Sequence, residues 1–282
     1  MRSKGRLAIV GVALLLLAIV AWRDLPDYFV TWPERGMTRF LYRADIRDLA
    51  EYVNKNPDMT DFGVGGFLAG PWDKLAMDSD LQNSAEVRVR WYNPERAILL
   101  ATGNEEAKAF RSRVPAPALD ESSYTNSDNV AVAAFQLFRV IDDSQLTEDE
   151  AVCFQNGLCA QEAIYDAGSS QLLITWEVDR PLDMPAKPLI SNPPPPDIYA
   201  GPRLLVFAQL LDDDDQLLAG DDGLWVDEST LWPGDRFRQV HYLSPPEGTG
   251  GHRILFGLYD PMTGNRILTE DGRDHIEVQI GS

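Results

Sequence analysis

Histidine, cysteine and long apolar sequence are all scarce in this chain of 282 residues. His241, His252 and His275 are the only histidines, and none stands in H-E-x-x-H or another metal-ligand spacing, so no zinc-hydrolase pattern is present. His241 lies in an alternating run, where a histidine is commonly a cross-strand packing residue rather than a general base with a placed partner. There is no G-x-S-x-G elbow and no Walker-type phosphate loop. The run GVGGF, residues 63–67, lacks the G-x-G-x-x-G spacing of a dinucleotide site. No cofactor fingerprint and no catalytic constellation can be read, and the expectation is a chain that is not an enzyme.

Basic residues are also few, 25 against 44 acidic ones. Arg2, Lys4 and Arg6 stand at the N-terminus, so everything after Arg6 carries 22 basic against 44 acidic residues, a formal charge of −22. A field of that sign repels phosphate backbones and anionic headgroups, which argues against nucleic acid as a partner. Solubility at an extracytoplasmic surface is the plain account of the charge. The densest acidic stretch is Asp212-Asp213-Asp214-Asp215, with Asp221-Asp222-Gly223 close behind. Asp212, Asp214 and Asp221 are its calcium candidates, because calcium collects several oxygen ligands. The ligand order of an EF-hand is missing, and Asp and Gly favour turns, so a solvated β-turn is the competing reading.

The one long apolar run is LAIVGVALLLLAIVAW, Leu7 to Trp22, 16 residues without charge or proline. Behind a basic flank such a run is a signal peptide or a signal anchor. It falls short of the roughly 20 residues of a comfortable span. Cleavage after Ala21 would put Ile19 where a small residue belongs, which favours an uncleaved anchor over a cleaved signal; a buried core helix is the third reading. Trp22 stands at an interfacial position, and Tyr28, Phe29 and Trp32 extend the belt. The positive-inside rule then predicts a single-pass protein of the cytoplasmic membrane, spanning through residues 7–22, with residues 1–6 cytoplasmic and the body extracytoplasmic. Cys153 and Cys159, spaced C-x5-C around Asn156-Gly157, are the only cysteines. In an exported chain they read as a disulfide closing a small loop, with free thiols as the alternative. Two sulfurs with no histidine nearby are too few for zinc.

Past the anchor, Ile46, Leu49, Ala50 and Val53 repeat at helical spacing between Asp45 and Lys55, with Asp45 as cap and Asn56-Pro57 as stop. A strand-like FGVGGFLA and a short helix around Lys74 to Leu81 come next. Strands over Glu86 to Trp91 and Ala97 to Ala101, joined by the Asn93-Pro94 turn, and a helical Glu105 to Arg113 complete the segment. The alternation predicts a small α/β domain over residues 28–113. Residues 114–129 are proline-rich and then polar, a linker composition. Residues 130–282 open with VAVAAFQLFRV and continue as short apolar runs parted by Asp/Gly/Pro turns. Within them Leu172, Ile174, Trp176 and Val178 alternate with Leu173, Thr175 and Glu177, the pattern of half-buried strands. The fold class expected is α+β overall: a transmembrane helix, a small α/β layer, then an antiparallel β-sandwich, Ig-like or jelly-roll-like. The proline cluster Pro193 to Pro196 belongs in a loop or at an edge. Trp176, Phe207 and Phe256 are expected to point into the sandwich core, with Trp232 folded over one end.

Trp176, the run Val206 to Asp212, the turn Trp232-Pro233-Gly234-Asp235 and the hairpin Gly257-Leu258-Tyr259-Asp260-Pro261-Met262-Thr263-Gly264-Asn265-Arg266 stand in a familiar order. That order resembles the soluble tail that follows the last membrane helix in bacterial polytopic glycosyltransferases of family 39, the protein-mannosyltransferase-like class. The segments around Tyr28 to Trp32, DIRDLAEYVNKNP and VRVRWYNPERAILLATG are similar to the stretch that joins helix to tail in those proteins. The resemblance covers most of the chain; the region from Asp142 to Ala163, with both cysteines, departs from it as an insertion would. The catalytic acidic residues of that family lie in a loop between membrane helices, a loop this chain does not carry, so the resemblance transfers no catalytic residue. It implies a non-catalytic accessory or interaction module in cell-surface glycosylation, acting beside a polytopic glycosyltransferase. The alternative is a carbohydrate-binding module that engages surface glycans through exposed tryptophans. Core burial is the default for indoles, and Trp72 and Trp225, in Gly/Pro/Asp-rich surroundings, are the candidates for glycan contact.

Overall fold

The computed structural model describes residues 2–32, 44–65, 71–100, 151–184, 201–246 and 253–280, together with Thr38 and the short strands at 124–125, 131–132 and 136–138. Its helices are α1 (Arg2–Pro26), which runs on into a π-helical turn over Asp27–Thr31, α2 (Ala44–Lys55) and α3 (Pro71–Asp80). The strands of the N-terminal half are β1 (Asp61–Gly65), β2 (Arg88–Tyr92), β3 (Ala97–Leu100), β4 (Tyr124–Thr125), β5 (Ala131–Val132) and β6 (Gln136–Phe138). Those of the C-terminal half are β7 (Val152–Cys153), β8 (Leu158–Asp166), β9 (Gln171–Val178), β10 (Leu205–Leu211) and β11 (Leu217–Gly220). They continue with β12 (Arg236–Tyr242), β13 (Arg253–Tyr259), β14 (Arg266–Ile267) and β15 (Ile276–Gln279). Mixed helices and antiparallel sheets, led by one apolar helix, make the architecture. The helical Glu105 to Arg113, most of the 114–129 linker and the proline cluster Pro193 to Pro196 lie outside the described residues.

β1 and β2 run parallel with α3 in the connection between them, and β6 adds antiparallel to the far side of β1. A parallel pair needs such a crossover. The stripe of α2 seals this layer: Ile46, Leu49 and Ala50 are fully buried, Val53 nearly so, against Phe62, Val64, Met77 and Trp91. The helix starts one residue before the expected cap, at Ala44.

Two five-stranded antiparallel sheets follow, one ordered β3-β12-β9-β8-β7, the other β11-β10-β13-β14 with β15 also on β13. One buried cluster draws on both. Leu172, Ile174 and Trp176 of β9 and Phe237 of β12 meet Val206, Ala208 and Leu210 of β10 and Ile254, Phe256 and Leu258 of β13. The Trp176 and Phe256 rings sit edge to face, 6.0 Å apart, a geometry that places the positive ring edge on a negative face. β3 crosses between the halves and hydrogen-bonds to β12.

One inward residue differs from expectation. On β10 it is Val206 and not Phe207 that joins the shared core. Phe207 stands opposite Gly257 of β13, where a Cβ would come within 2.7 Å of its ring. The ring therefore lies across the bare glycine on the outer face, with the Arg266 guanidinium 4.1 Å above its centre. Cys153 and Cys159 face each other across the β7–β8 hairpin and are bonded. The loop they close drives Phe154, fully buried, to 6.0 Å from Trp176. Its backbone reaches the chain between β14 and β15, through Gln155 N–H to Leu268 O and Glu270 N–H to Cys153 O, both 2.9 Å.

Candidate functional site

Two clusters of polar side chains stand out among the described residues, and neither was legible as a cluster in the sequence. The first surrounds Arg90 on β2, 2% exposed. Its Nε and Nη2 donate to the two carboxylate oxygens of Asp235 at 2.8 and 2.6 Å, and Nη1 donates to Asp61. The fork matches a carboxylate in plane, which is how a guanidinium is buried at tolerable cost. Asp235 also accepts the Trp232 N–H at 2.8 Å, and Gly234, at φ +84°, donates to Val178 O at 2.7 Å. The Trp-Pro-Gly-Asp turn is thus clamped from inside. Its indole does not fold over the core: Trp232 is 48% exposed, and the Arg88 guanidinium lies 5.1 Å from the ring centre.

The second cluster surrounds Arg96, where the chain crosses from β2 to β3. Its guanidinium lies between the rings of Trp225 and Tyr242, 4.2 and 4.7 Å from their centres, and pairs with Asp221. Asp221 also accepts the Tyr242 N–H at 2.8 Å, and its carbonyl accepts Nδ1 of His241 at 2.8 Å. Gln239 takes the Trp225 N–H on its oxygen at 3.3 Å, which leaves its amide nitrogen to donate to His241 Nε2 at 2.8 Å. Both imidazole nitrogens are occupied, and burial pushes the His241 pKa down against the opposing pull of Asp221. A neutral, fully bonded, solvent-excluded ring has no free position from which to shuttle a proton. The cluster is a latch between the N-terminal crossing and the β11–β12 connection.

The residues singled out in the sequence are therefore scattered. Asp221 is committed to Arg96. Asp212 turns inward on its own loop, accepting the N–H groups of Asp214 and Gln216 at 2.9 and 2.8 Å, as an Asx turn does. Among the described residues no group of three His, Cys, Asp or Glu side chains is placed to hold a metal. Trp225 is half-buried with one face under Arg96, so it offers no open platform. Trp72 opens α3, and its side chain lies outside the described residues. Ser229 Oγ receives Lys74 Nζ at 2.8 Å and donates to Asp227 at 2.7 Å. Lys74 is itself ion-paired to Asp227 at 2.5 Å. An ammonium so held cannot take the serine proton, and the trio caps the short turn Glu228–Thr230 rather than arming a nucleophile. The helical connection between parallel β1 and β2 starts with residues 66–70, outside the described residues.

α1 is the feature that stands apart. Ile9–Thr31 is a stretch of 23 residues long and apolar enough to cross a membrane, and none of it is buried against the rest of the protein. No family model, curated protein or solved structure matches the chain.

Proposed function

We propose that the chain is a membrane-tethered, non-catalytic module of the cell envelope, an accessory of cell-surface glycosylation related to the soluble tails of polytopic glycosyltransferases. The observation that carries this reading is the uncovered apolar helix ahead of a folded, strongly acidic body. An apolar run of 16 residues, in a helix that none of the described residues covers, calls for a lipid environment. Either a retained anchor or a signal sequence meets that need; the Ile19 argument favours retention. The basic flank orients the body away from the cytoplasm. The two five-stranded sheets with their common core suit a β-sandwich.

The motifs behind the resemblance sit at positions that build the fold. Trp176 fills the core, Asp235 clamps Arg90, and Gly257 makes room for Phe207. Kinship through such positions supports a shared scaffold rather than shared chemistry, and a shared scaffold suits a partner-binding role. The test is affinity purification of the full chain from detergent-solubilised membranes, with mass spectrometry of what comes with it. Enrichment of a multi-span glycosyltransferase is expected; recovery of the chain alone sinks the accessory role. Exposure of Trp232 favours one second reading, a glycan-binding module that stacks sugars on that indole rather than on the half-buried Trp225. A glycan array probed with the soluble body decides it: binding lost in Trp232→Ala, with melting unchanged, would select this alternative.

A further inference from the structure

The helical path does not end where the apolar run ends. Leu7 to Trp22 covers only about 24 Å at ~1.5 Å per residue, against a hydrocarbon layer of about 30 Å. The next turn carries Arg23 and Asp24, 3.6 Å apart with side chains 86% and 61% exposed, and the backbone then continues through the π-helical turn Asp27–Thr31. Leu25, Tyr28, Phe29 and Trp32 recur at helical spacing, while Asp24 and Asp27 fall to one side of that stripe. The Tyr28 and Trp32 rings stack, 5.7 Å apart and 2° from parallel, and Phe29 meets Tyr28 edge-on at 5.0 Å. Tyr28 and Phe29 are 60% and 67% exposed and Trp32 36%, so among the described residues the first two rings stay open to the surroundings.

We propose that Tyr28, Phe29 and Trp32 form a collar in the zwitterionic headgroup layer, and that the collar sets the depth of the whole helix. This rests on the membrane reading above. With the collar at headgroup level, the hydrocarbon layer runs from Leu7 to Pro26, about 30 Å, which matches its thickness. The Arg23–Asp24 pair then sits in the outermost turn of hydrocarbon, where a long guanidinium stem reaches the surface. Aromatic rings favour this layer because one end is apolar and the other wet. Their faces accept choline or ethanolamine ammonium groups, which Asp27 also attracts, whereas anionic headgroups would be repelled by Asp24 and Asp27.

The test uses the full chain with its native disulfide oxidised, reconstituted in phosphatidylcholine vesicles. Single nitroxides are placed by Leu15→Cys, Val30→Cys and Leu75→Cys, and depth is read from oxygen against nickel-chelate relaxation. The expected result is Leu15→Cys deep in hydrocarbon, Val30→Cys at phosphate level and Leu75→Cys in water. Adding Tyr28→Ser and Trp32→Ser should move the Val30→Cys label outward, on the order of 5 Å, roughly one headgroup layer. A label at Val30→Cys as aqueous as that at Leu75→Cys, with Leu15→Cys still deep, overturns the collar and leaves the span standing. An aqueous Leu15→Cys overturns the membrane reading itself. Strong dipolar coupling between Val30→Cys labels would mean that a second copy covers the aromatic face, and would overturn the collar too.

Discussion

Arg90 is a buried cation held by three hydrogen bonds between two parts of the fold. Two elements that are distant in sequence, the β1–β2 layer and the Trp232–Asp235 turn, meet on one buried guanidinium. Replacing it with alanine leaves the carboxylates of Asp235 and Asp61 without their cation. Breaking a buried pair from one side costs about 3–5 kcal/mol, where swapping the whole group for apolar residues costs little. Arg90→Ala should therefore lower the urea midpoint far more than Arg88→Ala, whose exposed side chain only faces Trp232. Equal losses in the two variants would contradict the clamp. His241 makes a second prediction, in pH. Its folded pKa is lowered by burial, with Arg96 acting in the same direction and Asp221 and Asp222 against it. The unfolded chain therefore takes up the proton first, and stability falls as pH drops below about 6.5, by at most ~1.4 kcal/mol per pH unit. Carboxylates such as Asp166 and Asp274, held low by the Ser169 hydroxyl and the His275 imidazole, lose their contribution only at more acid pH. Melting curves at pH 7.5 and 5.5 should converge in His241→Gln; an undiminished acid shift in that variant removes His241 as the cause.

At the scale of elements, sequence periodicity revealed some parts and hid others for a physical reason. α2 was readable because its stripe repeats at helical spacing beside a proline stop, and every stripe residue is buried. β9 and β13 were readable in the same way, through alternation. The parity of β10 was not, because alternation says that Val206 and Phe207 face opposite ways but not which faces in. The deciding residue, Gly257, lies fifty residues on, and its meaning appears only once the register pairs it with Phe207. Partnership across distance was hidden too: nothing local marks Ala97–Leu100 as the neighbour of β12 rather than of β2. The Arg96 and Arg90 clusters were invisible for that reason, since each takes its members from both halves. The cysteine hairpin combines the local and the distant. Closing so short a loop contributes about 2–3 kcal/mol in the chain-entropy account, and the loop also seats Phe154 beside Trp176. Reductant should lower the unfolding free energy of the native chain, read from urea titration, by about that amount and leave the Cys153→Ser/Cys159→Ser double variant unmoved. A native midpoint indifferent to reductant would show that Phe154 is held without the bond.

On the scale of the whole molecule, charge and apolarity are segregated along the chain, and the segregation has a direction. Three basic residues precede the apolar helix, and a body of charge −22 follows it. Orientation depends on the short basic flank, because lysine and arginine near a span resist translocation whereas acidic residues far from it matter little. The body, then, should be outside not because it is acidic but because Arg2, Lys4 and Arg6 stay in. Trypsin added to intact spheroplasts should degrade the body, while inside-out vesicles protect it. Reversing the flank with Arg2→Glu, Lys4→Glu and Arg6→Glu should weaken or invert that pattern without any change to the body. If the reversed flank leaves the protection pattern as it was, the body's own folding or a partner must fix the orientation. If the native chain is protected in spheroplasts, the body is cytoplasmic, and a role at cell-surface glycans falls with it.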